Sequence, residues 1–264
     1  MEKGTNFNVA YLLRYIGPEK VQELEIYTAA MLTKNYISFA SSKHVESFFN
    51  DNLENFIKNL SLEEQKTIRS YTGYHFREIN AILRNNWNYD VNGKLTPEIQ
   101  NEYRELSDNI RGILNKAPQI SNGIKVYRGV SILAFQSYGI FSLDDLVYLQ
   151  DKYLYEEGFT STSLIAEKSF CYTEVYTLTG KPNIQIEYLI PAGSDDGVAL
   201  LDEALSYSPN QEEFLIKNSS LFKVLDVKVD STNNVAFLQV MLIPERIWDY
   251  PDYEKEKQDI QTRK

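Results

Sequence analysis

The 264-residue sequence is long enough for one large domain, and its 43% hydrophobic content suffices for a substantial core. A formal net charge of -10, from 37 acidic and 27 basic residues, disfavours broad electrostatic capture of a nucleic-acid backbone but does not exclude a local basic groove. The single cysteine excludes an internal disulfide, and with only two histidines it cannot complete a Cys/His zinc cage.

The N-terminal sequence contains only a short apolar patch, from Val9 to Leu13, which Arg14 interrupts. A Sec-type signal peptide needs a longer apolar run and a cleavage site of small residues. No span approaches the roughly 18 apolar residues of a membrane helix. We therefore expect a soluble protein that acts in a cytosol, either of the producing cell or of a cell into which it is delivered.

The first half of the sequence predicts helices, because apolar residues recur there at near-helical spacing. Ser61 and Glu64 form a capping box, and Thr96 provides a cap hydroxyl ahead of Pro97. Thr72 and Gly73 predict a break between two of the helices. The predicted helices run from Pro18 to about Tyr36, His44 to Leu60, Ser61 to about Tyr71, Phe76 to about Asn85, and Thr96 to about Lys116.

From Gly123 onward the pattern changes to short β-like runs, with one helix predicted from Ser142 to Gln150. A phase slip between Val224 and Leu225 predicts a β-bulge. Helices first and strands later indicate an α+β fold. The predicted strands are Ile124–Tyr127, Phe159–Ser163, Ile184–Ile190, Glu213–Ile216, Phe222–Val229 and Val235–Ile243, and the chain after Pro244 is expected to be a solvated end.

Three short segments of the second half stand out together: Val-Tyr-Arg-Gly at 126–129, Phe-Thr-Ser-Thr-Ser at 159–163, and Gln-Glu-Glu-Phe-Leu at 211–215. Taken singly, each is ordinary. An arginine at a strand end is usually a surface charge, serine and threonine are common in edge strands, and a glutamate pair is usually solvated.

In this order the segments resemble the Arg, Ser-Thr-Ser, Glu signature of the Arg–Ser–Glu class of mono-ADP-ribosyltransferase toxins. The stretch 61–84 also resembles the helical segment that precedes the Arg strand in clostridial Rho-modifying exoenzymes and in the A components of actin-modifying binary toxins. The matching positions there are Tyr71, Thr72, Asn80, Leu83 and Arg84. The resemblance extends from about Val45 to Pro244.

The resemblance implies an enzyme whose substrate is NAD and whose site needs no metal. Arg128, helped by Arg84, would anchor the diphosphate, because a guanidinium donates to phosphate in bidentate fashion. Glu213 would stabilise oxocarbenium character on the ribose, and Ser161 would hold that carboxylate in position. Further NAD contacts are expected at Asn80, Tyr71, Gly129, Thr162, Ser163 and Lys181, although a solvated turn lysine is an equal interpretation of the last.

Glu213 is preferred to Glu212 because it leads directly into an apolar strand, and neighbouring strand residues point to opposite faces. Gln211 gives a Gln-x-Glu arrangement. In the family that arrangement goes with asparagine modification or with plain NAD hydrolysis, and arginine is therefore the less favoured acceptor. Tyr207 is expected to contact the acceptor from the loop 202–210, whereas Ser208 occupies the place of the Rho-binding aromatic residue.

The predicted architecture is an N-terminal helical region packed on a core of two small, mostly antiparallel sheets, with NAD in the cleft between them. The predicted domains are a helical extension at 1–43, a catalytic domain at 44–250 and a charged tail at 251–264. The extension is interpreted as an extra helical lobe, a docking surface for a delivery or antitoxin partner, or part of a longer ancestral chain.

The leading hypothesis is mono-ADP-ribosylation of a protein side chain by a toxin or effector. An NAD glycohydrolase and ADP-ribosylation of nucleic acid are the enzymatic alternatives. A catalytically silent module with the NAD-binding fold is the alternative that is not an enzyme.

Overall fold

The computed structural model describes residues 9–84, 96–170 and 183–248. The helices of these residues are α1 (Val9–Leu32, kinked at Gly17), α2 (Ser42–Lys58), α3 (Leu62–Ser70), α4 (Phe76–Leu83), α5 (Pro97–Leu114) and α6 (Glu245–Trp248). A π-helical turn, Tyr71–His75, joins α3 to α4. Short 3-10 helices span Ile132–Tyr138, Asp144–Leu149, Ala166–Phe170 and Pro209–Gln211.

The capping predictions are confirmed at both helices. The Ser61 side chain accepts from the backbone N–H of Glu64, and the Glu64 side chain accepts from that of Ser61. Thr96 likewise accepts from the third residue after it. The predicted Ser142–Gln150 helix is present only as the shorter 3-10 helix at 144–149.

The predicted break at Thr72 and Gly73 is wrong, because the chain continues through both residues as the π turn. The absence of a side chain at Gly73 instead allows the Tyr207 ring to pack against the turn. A Cβ at Gly73 would lie 2.5 Å from Cδ2 of Tyr207, so only glycine lets that ring approach the turn so closely.

Eight strands form one hydrogen-bonded sheet in the order β2-β7-β8-β4-β1-β3-β6-β5, antiparallel except for the β4–β8 pair. Its strands are β1 (Ile124–Val130), β2 (Tyr153–Glu156), β3 (Thr160–Ser163), β4 (Ile184–Ile190), β5 (Gly197–Leu200), β6 (Glu213–Ile216), β7 (Ser220–Asp230) and β8 (Val235–Ile243). The predicted bulge is confirmed between Val224 and Asp226 of β7.

The α+β class with mostly antiparallel strands is confirmed, whereas the prediction of two separate sheets is not. The strands β2, β7, β8, β4 and β1 form one part of the sheet, and β3, β6 and β5 form the other. The two parts are joined where β1 pairs with β3, through the single register pair Tyr127 and Ser163. One such pair suffices to make the sheet continuous, and no periodicity in the sequence reports it.

Two hydrophobic clusters cover opposite faces of β6. Phe214 and Ile216 belong to a cluster that includes Val45 and Phe49 of α2 and the inner face of β1. Leu215 belongs to a second cluster, with Tyr71 and the buried residues of helices α3–α5. Alternation along β6 therefore directs Glu213, which shares a face with Leu215, towards the helical layer.

The N-terminal region packs on the sheet. Leu24 of α1 lies in a third cluster with Tyr153, Leu221 and Trp248. Ile37 makes a parallel bridge with Ile124, next to β1. The domain boundary at residue 43 stays a prediction, and the predicted tail 251–264 lies outside the described residues.

The expectation of a solvated chain directly after Pro244 is wrong for α6. Trp248 is 4% exposed, and its Nε1–H donates to the carbonyl of Ile243 at 2.9 Å. Burying an indole ring with its N–H satisfied stabilises this end of the fold. None of the helices within the described ranges combines the length and the apolar character that a membrane crossing requires.

Candidate active site

Strands β3 and β6 bring Ser161 and Glu213 to one face of the sheet. Ser163 is the register partner of Glu213, and Ser161 is the partner of Leu215. Directly opposed residues of an antiparallel pair share a face, so both serines and Glu213 point the same way. The Ser161 hydroxyl hydrogen-bonds the Glu213 carboxylate, as expected for a residue that holds this carboxylate in place.

Glu213 is 5% exposed. Burial raises its pKa from 4.5 to about 7, while the Ser161 hydrogen bond and the positive charge of Arg128 act in the opposite direction. A buried carboxyl group whose pKa is raised in this way is a common feature of catalytic sites.

Glu212 is held away from Glu213. Its backbone is left-handed, with φ 44° and ψ 52°, and its carboxylate forms an ion pair with Lys168. The hydroxyl of Ser42, at the start of α2, donates to the same carboxylate at 2.5 Å. These contacts direct the Glu212 side chain away from Ser161, whereas Glu213 lies beside it.

Tyr71 and Asn80 connect the helical layer to strand β3. The Asn80 amide donates to the Tyr71 hydroxyl at 3.1 Å, and its Oδ1 accepts from the backbone N–H of Phe159 at 2.8 Å. The Tyr71 hydroxyl also hydrogen-bonds Ser161, and burial raises the pKa of this tyrosine. The two predicted positions thus reach Ser161 through a buried polar network.

Arg84 forms an ion pair with Glu156, the last residue of β2, through an Nε–Oε1 distance of 2.8 Å. Partial burial disfavours the charged guanidinium, but Glu156 outweighs this effect and raises the pKa of Arg84. The same Glu156 oxygen accepts from the backbone N–H of Gly158 at 2.7 Å. A Cβ at Gly158 would lie 3.0 Å from Arg84 Nε, so glycine makes room for the guanidinium.

Arg128 lies on β1, half-buried and opposite Ile186. Its positive charge lowers the pKa of Glu213 and also acts on Tyr188, whose pKa burial raises to about 12. Arg128 makes no hydrogen bond or ion pair with another of the described residues. Its charge is therefore available to an anionic ligand.

The remaining residues of the Ser-Thr-Ser and Arg-Gly motifs have different surroundings. The Thr162 hydroxyl is fully buried on the opposite face and donates to the Phe214 carbonyl at 2.7 Å, so it ties β3 to β6. Ser163 donates to the Gln211 carbonyl at 3.1 Å and accepts from the N–H of Ile165. Both hydroxyls therefore donate to backbone carbonyls and not to a group at the Ser161 site.

Gly129 is buried in β1 as the register partner of Gln185. Lys181 lies outside the described residues. The NAD contacts expected at these two positions stay predictions.

Gln211 ends the 3-10 helix that leads into β6, two residues before Glu213. Tyr207, in the preceding loop, is 47% exposed and packs edge-to-face against Tyr74 of the π turn at a ring-centroid distance of 5.0 Å. The Arg69 guanidinium lies 4.9 Å from the centroid of the Tyr207 ring. The loop, the π turn and α3 thus bring an aromatic pair and a cation together on the surface.

Several residues of this region were not predicted from the sequence, among them Glu156, Lys168, Ser42 and Tyr74. Tyr74 alone had a local signal, because it lies within the segment that carries the resemblance. The other three act through contacts between positions far apart in the chain. Among the residues that the structure describes, no group of three or more His, Cys, Asp or Glu side chains is arranged to hold a metal ion.

Comparison of the whole structure with solved structures places the same fold in several toxins. C3stau2 from S. aureus, solved with NAD, superimposes with a TM-score of 0.60 at 19% identity, covering 80% of this chain and 99% of that one. The C3 exoenzyme of Clostridium limosum gives a TM-score of 0.59 at 19% identity, covering 80% of this chain and 98% of that one. The Vis toxin of Vibrio splendidus gives 0.56 at 16% identity, covering 83% and 93%.

No curated protein sequence matches this chain. The family model described as ADP-ribosyltransferase exoenzyme matches residues 45–243, the region over which the resemblance was predicted. That match spans more than half of the sequence and includes Arg84, Arg128, Ser161 and Glu213. The chain therefore belongs to the ADP-ribosyltransferase exoenzyme family and is an ADP-ribosyltransferase.

Proposed function

We propose that this protein cleaves NAD at the nicotinamide glycosidic bond and transfers ADP-ribose to a protein side chain, acting as a toxin or effector. The observation that carries the proposal is the buried Glu213 carboxylate, hydrogen-bonded by Ser161 and within the electrostatic influence of Arg128. NAD offers a ribose and a diphosphate, the two chemical groups that a carboxylate and a guanidinium recognise.

Arg128 and Arg84 are the proposed diphosphate anchors. Arg128 is half-buried and without an ion-pair partner among the described residues, so no ion pair neutralises its charge. Arg84 already pairs with Glu156 on one side of its guanidinium, through Nε, and that contact leaves the other side to face a phosphate. NAD binding is further supported by the similarity in fold to C3stau2, which was solved with NAD.

Glu213 is proposed to accept a hydrogen bond from the ribose 2′-hydroxyl and to stabilise the positive charge that develops on the sugar as the glycosidic bond breaks. The ionised form does this work. Ser161 donates to the carboxylate and fixes its position, while the Tyr71 hydroxyl, which accepts from Asn80, hydrogen-bonds Ser161. Preorganisation of this kind reduces the reorganisation needed in the transition state.

Gln211 and Tyr207 are proposed to place the acceptor. A neutral amide two residues before the catalytic carboxylate can hydrogen-bond another amide but cannot act as a base, which favours an acceptor other than arginine. Tyr207 in the adjoining loop and Tyr74 in the π turn form an exposed aromatic pair, and aromatic rings of this kind are frequent anchors at protein interfaces. An acceptor protein is therefore favoured over a small molecule.

The outer surface of α1 is the proposed site for a delivery or antitoxin partner. Ile26 is 63% exposed on this helix, and Leu32 at its end is exposed as well. Loss of partner binding on replacing both with polar residues would support this part of the proposal.

Labelled NAD incubated with the purified protein and a cell lysate tests the function. We expect a label on macromolecules that is lost on protease treatment and not on nuclease treatment. Glu213→Gln should abolish turnover while NAD binding is largely kept, because this substitution removes charge but little volume. Near-normal turnover in that variant would overturn the assignment.

The same assay separates the alternatives. Nicotinamide release without a labelled macromolecule would indicate an NAD glycohydrolase. Label removed only by nuclease would indicate a nucleic-acid acceptor. No NAD consumption with any lysate would indicate a silent binding module.

A further inference from the structure

Two adjacent glutamates adopt opposite arrangements at the start of β6. Glu213 enters the strand with its side chain on the Ser161 face. Glu212 is in the left-handed backbone region, with φ 44° and ψ 52°, where a residue with a Cβ is strained. Such a conformation persists only where surrounding contacts hold it.

The contacts that hold Glu212 come from separate parts of the chain. The Lys168 ammonium, in the 3-10 helix after β3, forms an ion pair with its carboxylate and donates to the Asn210 carbonyl at 2.6 Å. The Ser42 hydroxyl, in the first turn of α2, donates to its Oε1 at 2.5 Å. The Glu212 carbonyl accepts from the N–H of Leu164 at 2.8 Å. Because Glu212 is buried, this ion pair is screened less than one on the surface.

We propose that Glu212 is a positioning residue, and that the clasp formed by Lys168, Glu212 and Ser42 sets the backbone from which Glu213 projects towards Ser161. The inference rests on the proposed function, in which Glu213 is the catalytic carboxylate. The clasp fixes the residue directly before Glu213, and it joins that residue to the start of α2 and to the segment after β3. Glu213 and its Ser161 partner therefore keep their mutual position.

The clasp acts on the reacting carboxylate and not on the proposed diphosphate anchors. Arg84 directly follows α4 and Arg128 lies on β1. Neither guanidinium forms a hydrogen bond or an ion pair with Lys168 or Glu212, whose side-chain partners among the described residues are Ser42, Asn210 and each other. Loosening the clasp should therefore lower kcat and leave the KM for NAD almost unchanged. If the ion pair only stabilised the fold, its loss would change the midpoint of unfolding but would not lower kcat selectively relative to the KM for NAD.

Nicotinamide release without an acceptor is the assay, with Lys168→Met as the broken clasp. We expect kcat to fall about tenfold and the KM for NAD to stay within about twofold, since small displacements of catalytic groups reduce rates steeply. Lys168→Arg keeps the charge and should recover most of the loss. Lys58→Met, which removes an exposed ion pair with Glu54 on α2, is the matched control and should behave as wild type.

A second readout does not depend on turnover. The carboxyl carbon of Glu213, observed by NMR in glutamate-labelled protein, gives its titration midpoint in wild type and in Lys168→Met. A weaker hydrogen bond from Ser161 and a weaker interaction with the Arg128 charge, both of which favour the ionised form, should raise that midpoint by about half a unit or more. If Lys168→Met does not fold, Ser42→Ala removes one hydrogen bond of the clasp and should give smaller changes in the same directions.

An unchanged kcat together with an unchanged midpoint would overturn the proposal, and so would a loss in Lys168→Met that Lys168→Arg does not recover. If the wild type releases no nicotinamide, the proposed function fails instead. The midpoints would then still decide whether the clasp positions Glu213.

Discussion

Asn80 accepts, through Oδ1, a 2.8 Å hydrogen bond from the backbone N–H of Phe159, the residue directly before strand β3. This bond ties helix α4 to the strand that carries Ser161. Both residues are buried, so water cannot replace the amide oxygen. Asn80→Ala should therefore lower the free energy of unfolding by about 2 kcal/mol, because it leaves a buried N–H without a partner.

Urea denaturation measures this change, with Asn55→Ala as the control. Asn55 lies exposed on α2, where alanine is the better helix former, so the control should be neutral or slightly stabilising. Equal midpoints for the two variants would show that the Asn80 bond contributes nothing.

Arg128→Ala should have two effects, because Arg128 is the proposed phosphate anchor and also lowers the pKa of Glu213. NAD binding should weaken by more than about tenfold, as expected for the loss of a charge-assisted hydrogen bond. The pH midpoint of kcat/KM, expected near 7 in the wild type, should rise, since Glu213 loses a neighbouring cation.

Lys125→Ala is the matched control for Arg128→Ala. It removes a cation from the same strand, but Lys125 points to the opposite face and pairs with Glu187. Calorimetric titration with NAD and a pH profile of both variants provide the measurements. Similar losses in NAD affinity for the two variants would contradict the assigned role of Arg128.

Glu213 should make the stability of the fold depend on pH. Burial raises its folded-state pKa from 4.5 to about 7, so the folded protein binds this proton more tightly than the unfolded chain does. The resulting stabilisation is fully present below about pH 4.5 and is lost as the pH rises through about 7. The side chain of the Glu213→Gln variant stays neutral. As the pH rises from 5 to 8, the free energy of unfolding of this variant should therefore increase relative to that of the wild type by on the order of 2 kcal/mol.

Thermal unfolding of Glu213→Gln and wild type at these two pH values tests the sign. Glu105→Gln, at an exposed position of α5, controls for loss of a negative charge and should show no such dependence. A Glu213→Gln variant that gains stability relative to wild type on going to pH 5 instead would contradict a raised pKa.

Local signals in the sequence predicted most helices and the longer strands. The Ser61–Glu64 capping box and the Thr96–Pro97 start depend on residues within one turn, and both are confirmed. Strand β5 was missed because all four of its residues, Gly197–Leu200, are buried, so it lacks the alternation that identifies a strand. Strand β2 was missed as well, and its first three residues are likewise all buried.

The site was predicted only where the motif specifies it. Arg128, Ser161 and Glu213 lie in short segments that the resemblance covers. The ion pairs that surround them join residues 72 positions apart in one case and 44 in the other, Arg84 with Glu156 and Lys168 with Glu212. Nothing in a single sequence reports such pairs, because they depend on how the sheet brings distant strands together.

Gly73→Ala should separate acceptor modification from NAD hydrolysis. The added Cβ would lie 2.5 Å from the Tyr207 ring, and because this ring is half-exposed, it can move outward without disturbing the core. Displacing Tyr207 also breaks its contact with Tyr74. We therefore expect the ratio of labelled acceptor protein to released nicotinamide to fall about fivefold or more, since an aromatic anchor at an interface contributes about 1–2 kcal/mol.

Gly112→Ala is the control, since Gly112 lies in α5 with open space around its missing side chain. It should stabilise the helix slightly and leave the ratio unchanged. Both products are measured in one reaction, so a general loss of activity cancels in the ratio. An unchanged ratio in Gly73→Ala would mean that Tyr207 does not contact the acceptor, and the search for the acceptor surface would then move to Gln211 and the surface around Arg84.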